Sequence, residues 1–178
     1  MITSFAHVPA YHGVTLGYGT RQECACAALW DPLQQGFQHW DADVATVYMT
    51  TSNGTNDIRY ATGIFTDELL TSPAASFYFA QEISEQVSGS QFHTVYWDNP
   101  ADEITQVTQA TEKESFMLYL PGNNSLNTCL ITEVHYYMDP TYNDWPNATY
   151  LHEDPFGCKA APNYWYIHPG TRVRRYWY

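Results

Sequence analysis

Cations are scarce in this sequence. Only seven of its 178 residues are lysine or arginine, against 19 aspartates and glutamates, which gives a formal net charge of −12. Because phosphate backbones are bound by clustered cations, this balance argues against a nucleic-acid-binding surface. Arg172, Arg174 and Arg175 supply three of the five arginines. No direct contact with nucleic acid is therefore predicted, except that these three arginines could form one.

Long apolar segments are missing as well. No apolar run approaches the roughly 20 residues that cross a bilayer as a helix, so no membrane span is predicted. Residues 1–9 lack the basic and apolar regions of a signal peptide. An extracellular location would then need another export route, or release of the chain from a larger precursor.

The sequence contains no familiar catalytic motif. It has no Gly-x-Ser-x-Gly nucleophile motif and no phosphate-binding glycine loop, and its seven histidines form no His-x-x-x-His zinc pair. The chain is therefore predicted not to be an enzyme and to need no cofactor, with a hydrolase that uses acids in a sheet cleft as the minority alternative. Paired acids in predicted turns could hold Ca²⁺ between subunits, although solvated turns are the simpler interpretation. These pairs are Asp41/Asp43, Asp102/Glu103 and Glu153/Asp154.

What the sequence does contain is a series of β-forming segments. They are rich in Val, Ile, Thr and aromatic residues and alternate with turn residues about every ten positions, which is typical of antiparallel sandwiches and barrels. The clearest is a hairpin from Phe116 to Met138, whose middle is full of turn residues. Further strands are predicted at 14–20, 44–51, 58–65, 76–80, 92–97 and 104–110, with a helical turn or strand at 23–33 and a helical turn at 81–87. We predict an all-β fold with one antiparallel sandwich domain over residues 1–140.

The character of the chain changes after Asp139. Residues 141–178 are rich in aromatic residues and interrupted by prolines, and they predict an extended C-terminal segment. Such a segment has little core of its own, so its aromatic and basic side chains are expected to contact a neighbouring subunit. Sugar stacking and packing over the domain's own core are the alternatives. The predicted assembly contacts are Trp145, Tyr164, Trp165, Tyr166, Arg172, Arg174, Arg175 and Trp177.

The four cysteines lack the spacing of a zinc site. One or two disulfides among Cys24, Cys26, Cys129 and Cys158 are expected in an oxidising compartment, for instance one that ties the C-terminal segment to the domain; buried free thiols are the alternative. The chain also contains three Asn-x-Ser/Thr sequons, which could be glycosylated and favour an exposed or extracellular environment. Their asparagines are Asn53, Asn123 and Asn147.

Three segments occur in a suggestive order. An aromatic-led segment runs into a strand at Phe37–Tyr48, a glycine-bearing strand follows at Ala61–Phe65, and a strand at Cys129–Pro140 ends the domain. This order, from residue 37 to residue 140, resembles the jelly-roll coat proteins of small icosahedral viruses. The resemblance implies a jelly-roll sandwich and a virion shell or surface component, with copies of itself or other shell subunits as partners. The chain departs from these proteins in one respect, because Met1–Thr20 carries no lysine or arginine where many of them have a basic arm.

The sequence therefore predicts one of two functions. The first is a structural assembly protein, located in a virion or outside the cell, whose subunits contact one another. The alternative is a secreted or surface β-sandwich that binds glycans in the manner of a lectin, with host-surface glycans as partners.

Overall fold

A computed structural model describes residues 13–30, 42–86, 89–111, 115–119, 133–138, 151–163, 165–167 and 174–176. Within these ranges the chain forms eleven strands, one α-helix and one 3₁₀ turn, so the predicted all-β class is confirmed. The helix α1 spans Gln22–Trp30 and the 3₁₀ turn η1 spans Ile58–Tyr60. The strands are β1 (Val14–Gly19), β2 (Ala42–Thr51), β3 (Ala61–Phe65), β4 (Phe77–Gln86), β5 (Gly89–Asp98), β6 (Glu103–Thr111), β7 (Ser115–Tyr119), β8 (Glu133–Met138), β9 (Leu151–His152), β10 (Trp165–Ile167) and β11 (Arg174–Tyr176).

Six strands form one antiparallel sheet in the order β3-β2-β1-β4-β5-β6. Its two edge strands, β3 and β6, lie close to each other, so the sheet is curled. Strands β7, β8 and β9 form a three-stranded sheet, and β10 pairs with β11. The predicted hairpin from Phe116 to Met138 is confirmed in its two strands, because β7 and β8 pair in antiparallel register from Ser115↔Tyr137 to Tyr119↔Glu133.

The inner face of the curled sheet carries the larger hydrophobic core. Apolar side chains at alternate positions of the strands point to this face, as the two-residue period of a strand requires. Trp97 is fully buried there, and its indole Nε1 donates a 2.9 Å hydrogen bond to the carbonyl oxygen of Ala74. The other buried members of this cluster are Leu16, Val47, Met49, Ile58, Ala61, Ile64, Phe79 and Val95.

Helix α1 packs on the outer face against β1, β2, β4 and β5. Its buried side consists of small residues, from Cys24 to Ala27, which lets the helix approach the sheet closely. Gly17 lies directly beneath it, because a Cβ atom added there would be 2.1 Å from the carbonyl oxygen of Ala25. An alanine-rich segment has good helix propensity, and this accounts for a helix at a position where the sequence pattern left helix and strand both open.

The described part of the C-terminal segment packs on its own chain. Phe156 and Cys158 belong to the same buried cluster as the helix residues and Phe92, and a disulfide joins Cys158 to Cys24. Residues 151 and 152 add β9 to the edge of β8. Sequence reasoning expected an extended segment with little core of its own. In the described part of this segment Phe156 and Cys158 pack beside α1, and Leu151, Asp154 and Ala161 are also buried.

Two local predictions differ from the structure. Residues 81–87 were predicted as a helical turn, but β4 continues as a strand through Gln86, with a register shift between Glu82 and Ser84. Pairing with β5 outweighs the weak helical preference of so short a segment. The predicted return strand at 58–65 begins with η1, and strand geometry starts only at Ala61. In the described ranges no helix is long and apolar enough to cross a membrane.

Candidate functional site

A cleft opens where the inner core of the curled sheet ends. Along β4 and β5 the facing inner pairs are Phe77↔Trp97, Phe79↔Val95 and then Gln81↔His93, so two polar side chains follow two apolar pairs. The cleft begins at this change and has a volume of about 280 Å³. Its lining residues come from the loop before η1 and from the two strands: Thr55, Asn56, Asp57, Gln81, Glu82, Ile83 and His93.

Gln81 fixes the loop that forms one wall of the cleft. Its side-chain oxygen accepts a 2.8 Å hydrogen bond from the backbone N–H of Ile58, and its amide nitrogen donates a 2.7 Å bond to the carbonyl oxygen of Asn56. The amide is therefore engaged on both sides by backbone of residues 56–58. This makes Gln81 a positioning residue for Asn56 and Asp57, rather than a group that is free to bind a ligand.

The opposite wall is shaped by an irregularity in β4. The register with β5 shifts between Glu82 and Ser84, so Ile83 is an extra residue in the strand. Such bulges re-aim side chains and are frequent beside functional sites. Here Glu82 and Ile83 are both exposed and both line the cleft, which places a carboxylate next to an apolar side chain.

Asp57 and Arg59 form an ion pair at the rim. The guanidinium Nε donates to both carboxylate oxygens at 3.0 and 2.9 Å, and the same guanidinium lies 5.5 Å from the centre of the Tyr60 ring. The hydrogen bond from Arg59 holds the pKa of Asp57 below its ordinary value. Because this pair is exposed and screened by solvent, its main consequence is to offset one negative charge at the cleft.

His93 lies at the base of the cleft and is only 8% exposed. Burial, and then the positive charge of Arg59, lower the pKa of the imidazole, so the ring is neutral near pH 7. Among the residues that the structure describes, none forms a hydrogen bond with this ring. A neutral imidazole has one donor and one acceptor, and neither nitrogen of this ring is closed off from the solvent in the cleft. His93 therefore presents hydrogen-bonding capacity to whatever occupies the cleft.

The chemistry of this cleft suits binding better than catalysis. The Thr55 hydroxyl already donates a 2.8 Å bond to Asn53 Oδ1, so it is not held by a base as a nucleophile would be. In the described part of the chain no three His, Cys, Asp or Glu side chains are grouped as metal ligands. The other lining groups include three planar side chains that can form hydrogen bonds, at Asn56, Glu82 and His93. Ile83 is their apolar neighbour.

The residues predicted as assembly contacts lie elsewhere. Trp165 of β10 and Tyr176 of β11 are half-buried and meet edge to face, with ring centres 5.5 Å apart. Tyr166 is fully buried within its own chain, and its hydroxyl donates to the carbonyl oxygen of Pro162. Arg175 is half-buried in β11, and of Arg174 only the strand position is described. Trp145, Tyr164, Arg172 and Trp177 lie outside the described residues.

The cysteines have distinct environments. Cys24 and Cys158 form the disulfide, and the Arg21 guanidinium donates a 2.8 Å bond to the carbonyl oxygen of Cys158. Cys26 is a buried free thiol, and burial, with the nearby charges of Glu23 and Asp154, raises its pKa to about 12. Cys129 lies outside the described residues, as do the sequon residues Asn123 and Asn147, whereas Asn53 is exposed on a turn.

The predicted acid pairs do not converge on the cleft. Asp154 is fully buried, and its Oδ1 accepts backbone N–H bonds from Phe156, Gly157 and Cys158, while Oδ2 accepts one from Lys159. This carboxylate therefore organises the turn that delivers Cys158 to the helix. Glu153 is paired with Lys159. Asp102 is exposed in a turn, Glu103 is exposed at the start of β6 and Asp43 is exposed in β2, while Asp41 lies outside the described residues.

Sequence reasoning missed every residue that lines the cleft. The available signal was weak: His93 lies two and four residues before Val95 and Trp97, which puts it on the same face of β5, but Gln91 and Thr94 make the strand mixed in composition. Comparison with known protein families, curated proteins and solved structures finds no match to the chain.

Proposed function

We propose that this protein is an extracellular, disulfide-bonded β-domain that binds a small polyhydroxylated ligand, a saccharide, in the cleft at Gln81 and His93. The observation that carries the proposal is the imidazole of His93, which is nine-tenths buried, faces the cleft and has no hydrogen bond within the described residues. Its ring nitrogens are accessible from the cleft, so water or a ligand can supply the missing bond. A ligand hydroxyl can do so, because it both donates and accepts.

The neighbouring groups match the same ligand. The Glu82 carboxylate accepts hydrogen bonds from hydroxyls, the Asn56 amide can donate and accept, and Ile83 offers an apolar surface to the C–H face of a sugar ring. Small-molecule sites combine apolar lining with a few placed polar groups in this way. A cleft of about 280 Å³ lies just below the roughly 300–1,000 Å³ of pockets for drug-sized ligands, so it suits a short saccharide.

The disulfide supports the proposed extracellular location. Bonds such as Cys24–Cys158 form and persist in oxidising compartments and are rare where glutathione keeps thiols reduced. The low charge density and the abundance of tyrosine fit a surface that works outside the cell. An extracellular chain meets free and cell-surface glycans, which are the class of ligand that the cleft would select.

The proposal is tested by titrating the full chain with mono- and disaccharides in a calorimeter and by a glycan array with and without a chelator. We expect one saccharide class to bind without metal. Hydrogen bonds to charged groups contribute about 1.5–3 kcal/mol, so Glu82→Ala should weaken binding about 10- to 100-fold. Glu103→Ala is the matched control, because it removes an exposed carboxylate at the start of β6, opposite Asp98 and not among the residues that line the cleft. Absence of binding to every sugar, or equal affinity of the Glu82 variant and the parent, would refute the proposal.

Assembly is the second candidate, and the β10–β11 ribbon is the observation that favours it. Trp165 and Tyr176 are half-exposed aromatic residues on this ribbon, and aromatic residues are enriched at the centres of subunit interfaces. In this proposal the chain is a shell or surface component of a virion, of jelly-roll type, with copies of itself as partners and Ca²⁺ at the contacts between them. Native mass spectrometry of the chain with and without residues 172–178 tests it. An assembly that the truncation dissociates supports it, and a monomer at high concentration excludes it.

A further inference from the structure

The turn that joins β2 to the cleft wall carries a sequon on its exposed tip. Asn53, Gly54 and Thr55 form this tip, and all three are exposed. Gly54 has a φ of +72°, and a Cβ atom added there would meet nothing within 4 Å. Open space therefore lies beside Gly54 at the centre of the tip, and the neighbouring Asn53 side chain is itself exposed.

The local hydrogen bonds leave the reactive atom of the asparagine available. Asn53 Oδ1 accepts a bond from the backbone N–H of Thr55 at 3.1 Å and one from its hydroxyl at 2.8 Å. The carbonyl oxygen of Thr55 in turn accepts a bond from the Thr51 hydroxyl at 2.7 Å. Both bonds to Asn53 use the oxygen, so no described residue engages Nδ2, which is the atom that N-glycosylation modifies.

The compartment that forms the disulfide is also compatible with this modification. Cys24–Cys158 joins residues 134 positions apart, so the chain folds under oxidising conditions before or while the bond closes. In eukaryotic cells, the lumen in which such bonds form also contains the transferase that glycosylates Asn-x-Ser/Thr sequons. The sequon, its exposure and the disulfide are three separate features that point in the same direction.

We propose that Asn53 carries an N-linked glycan at the rim of the cleft. The new bond joins Nδ2 to the anomeric carbon of an oligosaccharide, the bond from that carbon to the pyrophosphate of a lipid-linked donor breaks, and Nδ2 loses a proton to the transferase. Thr55 and Asn56 of the same turn line the cleft, so the first sugar would stand beside its mouth. This modification is independent of the proposed saccharide binding, and either can be true without the other.

The test uses the full chain secreted from eukaryotic cells behind an added leader peptide. The disulfide-bonded product is released from its glycans by peptide N-glycosidase in ¹⁸O-water and mapped by mass spectrometry, which labels each formerly glycosylated asparagine. We expect the label at residue 53. An unlabelled Asn53 in the secreted, disulfide-bonded protein would overturn the proposal, whatever the state of Asn123 and Asn147.

Variants in cell-free translation with microsomes give a second readout that does not depend on folding. Asn53→Gln and Thr55→Ala should each lose one glycan from the band pattern on a gel, whereas Thr55→Ser keeps the sequon and the glycan. Asn56→Gln is the matched control, because it alters a neighbouring amide outside the sequon and should leave the pattern unchanged. Identical patterns for Asn53→Gln and the parent chain would contradict the proposal.

Discussion

The Cys24–Cys158 disulfide offers the sharpest test of how this fold is held together. It connects α1, which covers the outer face of the sheet, to residues 151–163, which are otherwise fixed by β9 and by the Asp154 turn. The perturbation is the double substitution Cys24→Ala with Cys158→Ala. Replacing both residues prevents a remaining thiol from pairing with the buried Cys26, which a single substitution would allow.

The magnitude follows from the length of the loop that the bond closes. In the chain-entropy model, a disulfide removes about 2.1 + 1.5R ln n cal/mol/K from the entropy of the unfolded chain. The two cysteines are separated by 134 residues. At 25 °C this gives about 5 kcal/mol, an upper value because compact unfolded chains retain less entropy than the model assumes. We expect the double variant to lose about 2–5 kcal/mol of unfolding free energy, which is a large share of the stability of a domain of this size.

Urea denaturation followed by tryptophan fluorescence measures this loss. The parent chain should lose stability on addition of a reducing agent, while the double variant should be the same with and without it. Cys26→Ala is the control, because it removes a buried thiol that is outside the disulfide and should keep the sensitivity to the reducing agent. Equal midpoints for the oxidised and the reduced parent chain would refute the idea that this bond stabilises the fold.

Three further predictions concern the helix packing, the buried turn and the cleft. Gly17→Ala should cost about 1–3 kcal/mol by chemical denaturation, because the added methyl group meets the Ala25 carbonyl oxygen at 2.1 Å and the helix must shift. Asp154→Asn should cost about 1.5–3 kcal/mol, because one carboxylate oxygen that accepts a backbone N–H bond is replaced by an amide donor. Lowering the pH below about 6.5 should destabilise the parent chain more than the His93→Gln variant. At such a pH the histidine of the unfolded chain takes up a proton, whereas the ring in the folded chain has a lowered pKa and stays neutral. Melting temperatures between pH 7.5 and pH 5 measure this difference.

Each of these predictions has an internal control. Gly63→Ala should cost less than Gly17→Ala, because its nearest neighbours at 2.9 Å are side-chain atoms of Phe65 and Thr50, which can move, and not backbone. Asp67→Asn should cost less than Asp154→Asn, because Asp67 makes similar backbone contacts in an exposed loop, where water can replace them. Equal losses within either pair, or a His93 variant that loses stability in acid as the parent chain does, would contradict the corresponding explanation.

The strands could be predicted where alternation and turn chemistry agree. Asn53-Gly54 marked the end of β2, and β5 and β6 were predicted within a few residues of their bounds. These segments have a buried side and a β-rich composition, so local preference and tertiary packing favour the same structure. For the segment that forms α1 the sequence did not decide between helix and strand, because a short run of Ala and Cys has no periodicity that distinguishes the two.

Long-range pairing was the part that sequence alone could not supply. Nothing in the local pattern indicates that Cys158, rather than Cys26 or Cys129, bonds to Cys24, since four cysteines allow three complete pairings. The local pattern also does not indicate that residues 151–163 contribute to the core, because their composition is typical of a loop. Their place in the core depends on the disulfide and on the buried Asp154 turn, and a carboxylate that accepts four backbone N–H bonds has no sequence signature beyond an acid before a turn.

The cleft was missed for a related reason. Its position depends on the facing pairs along β4 and β5, where the inner side chains change from Phe79↔Val95 to Gln81↔His93. Each polar residue is unremarkable on its own strand, and only the register places the two side by side, so that the apolar core stops at the same level on both strands. The register is set by the hairpin that joins these strands, and that hairpin begins inside residues 81–87, which were predicted as a helical turn. Assigning the segment as a strand would still not have located the site, because regular pairing outwards from Gln86↔Gly89 places His93 opposite Glu82 and Gln81 opposite Thr94. The extra residue Ile83 shifts the register by one and brings His93 opposite Gln81, and a bulge of this kind has no signature in the sequence.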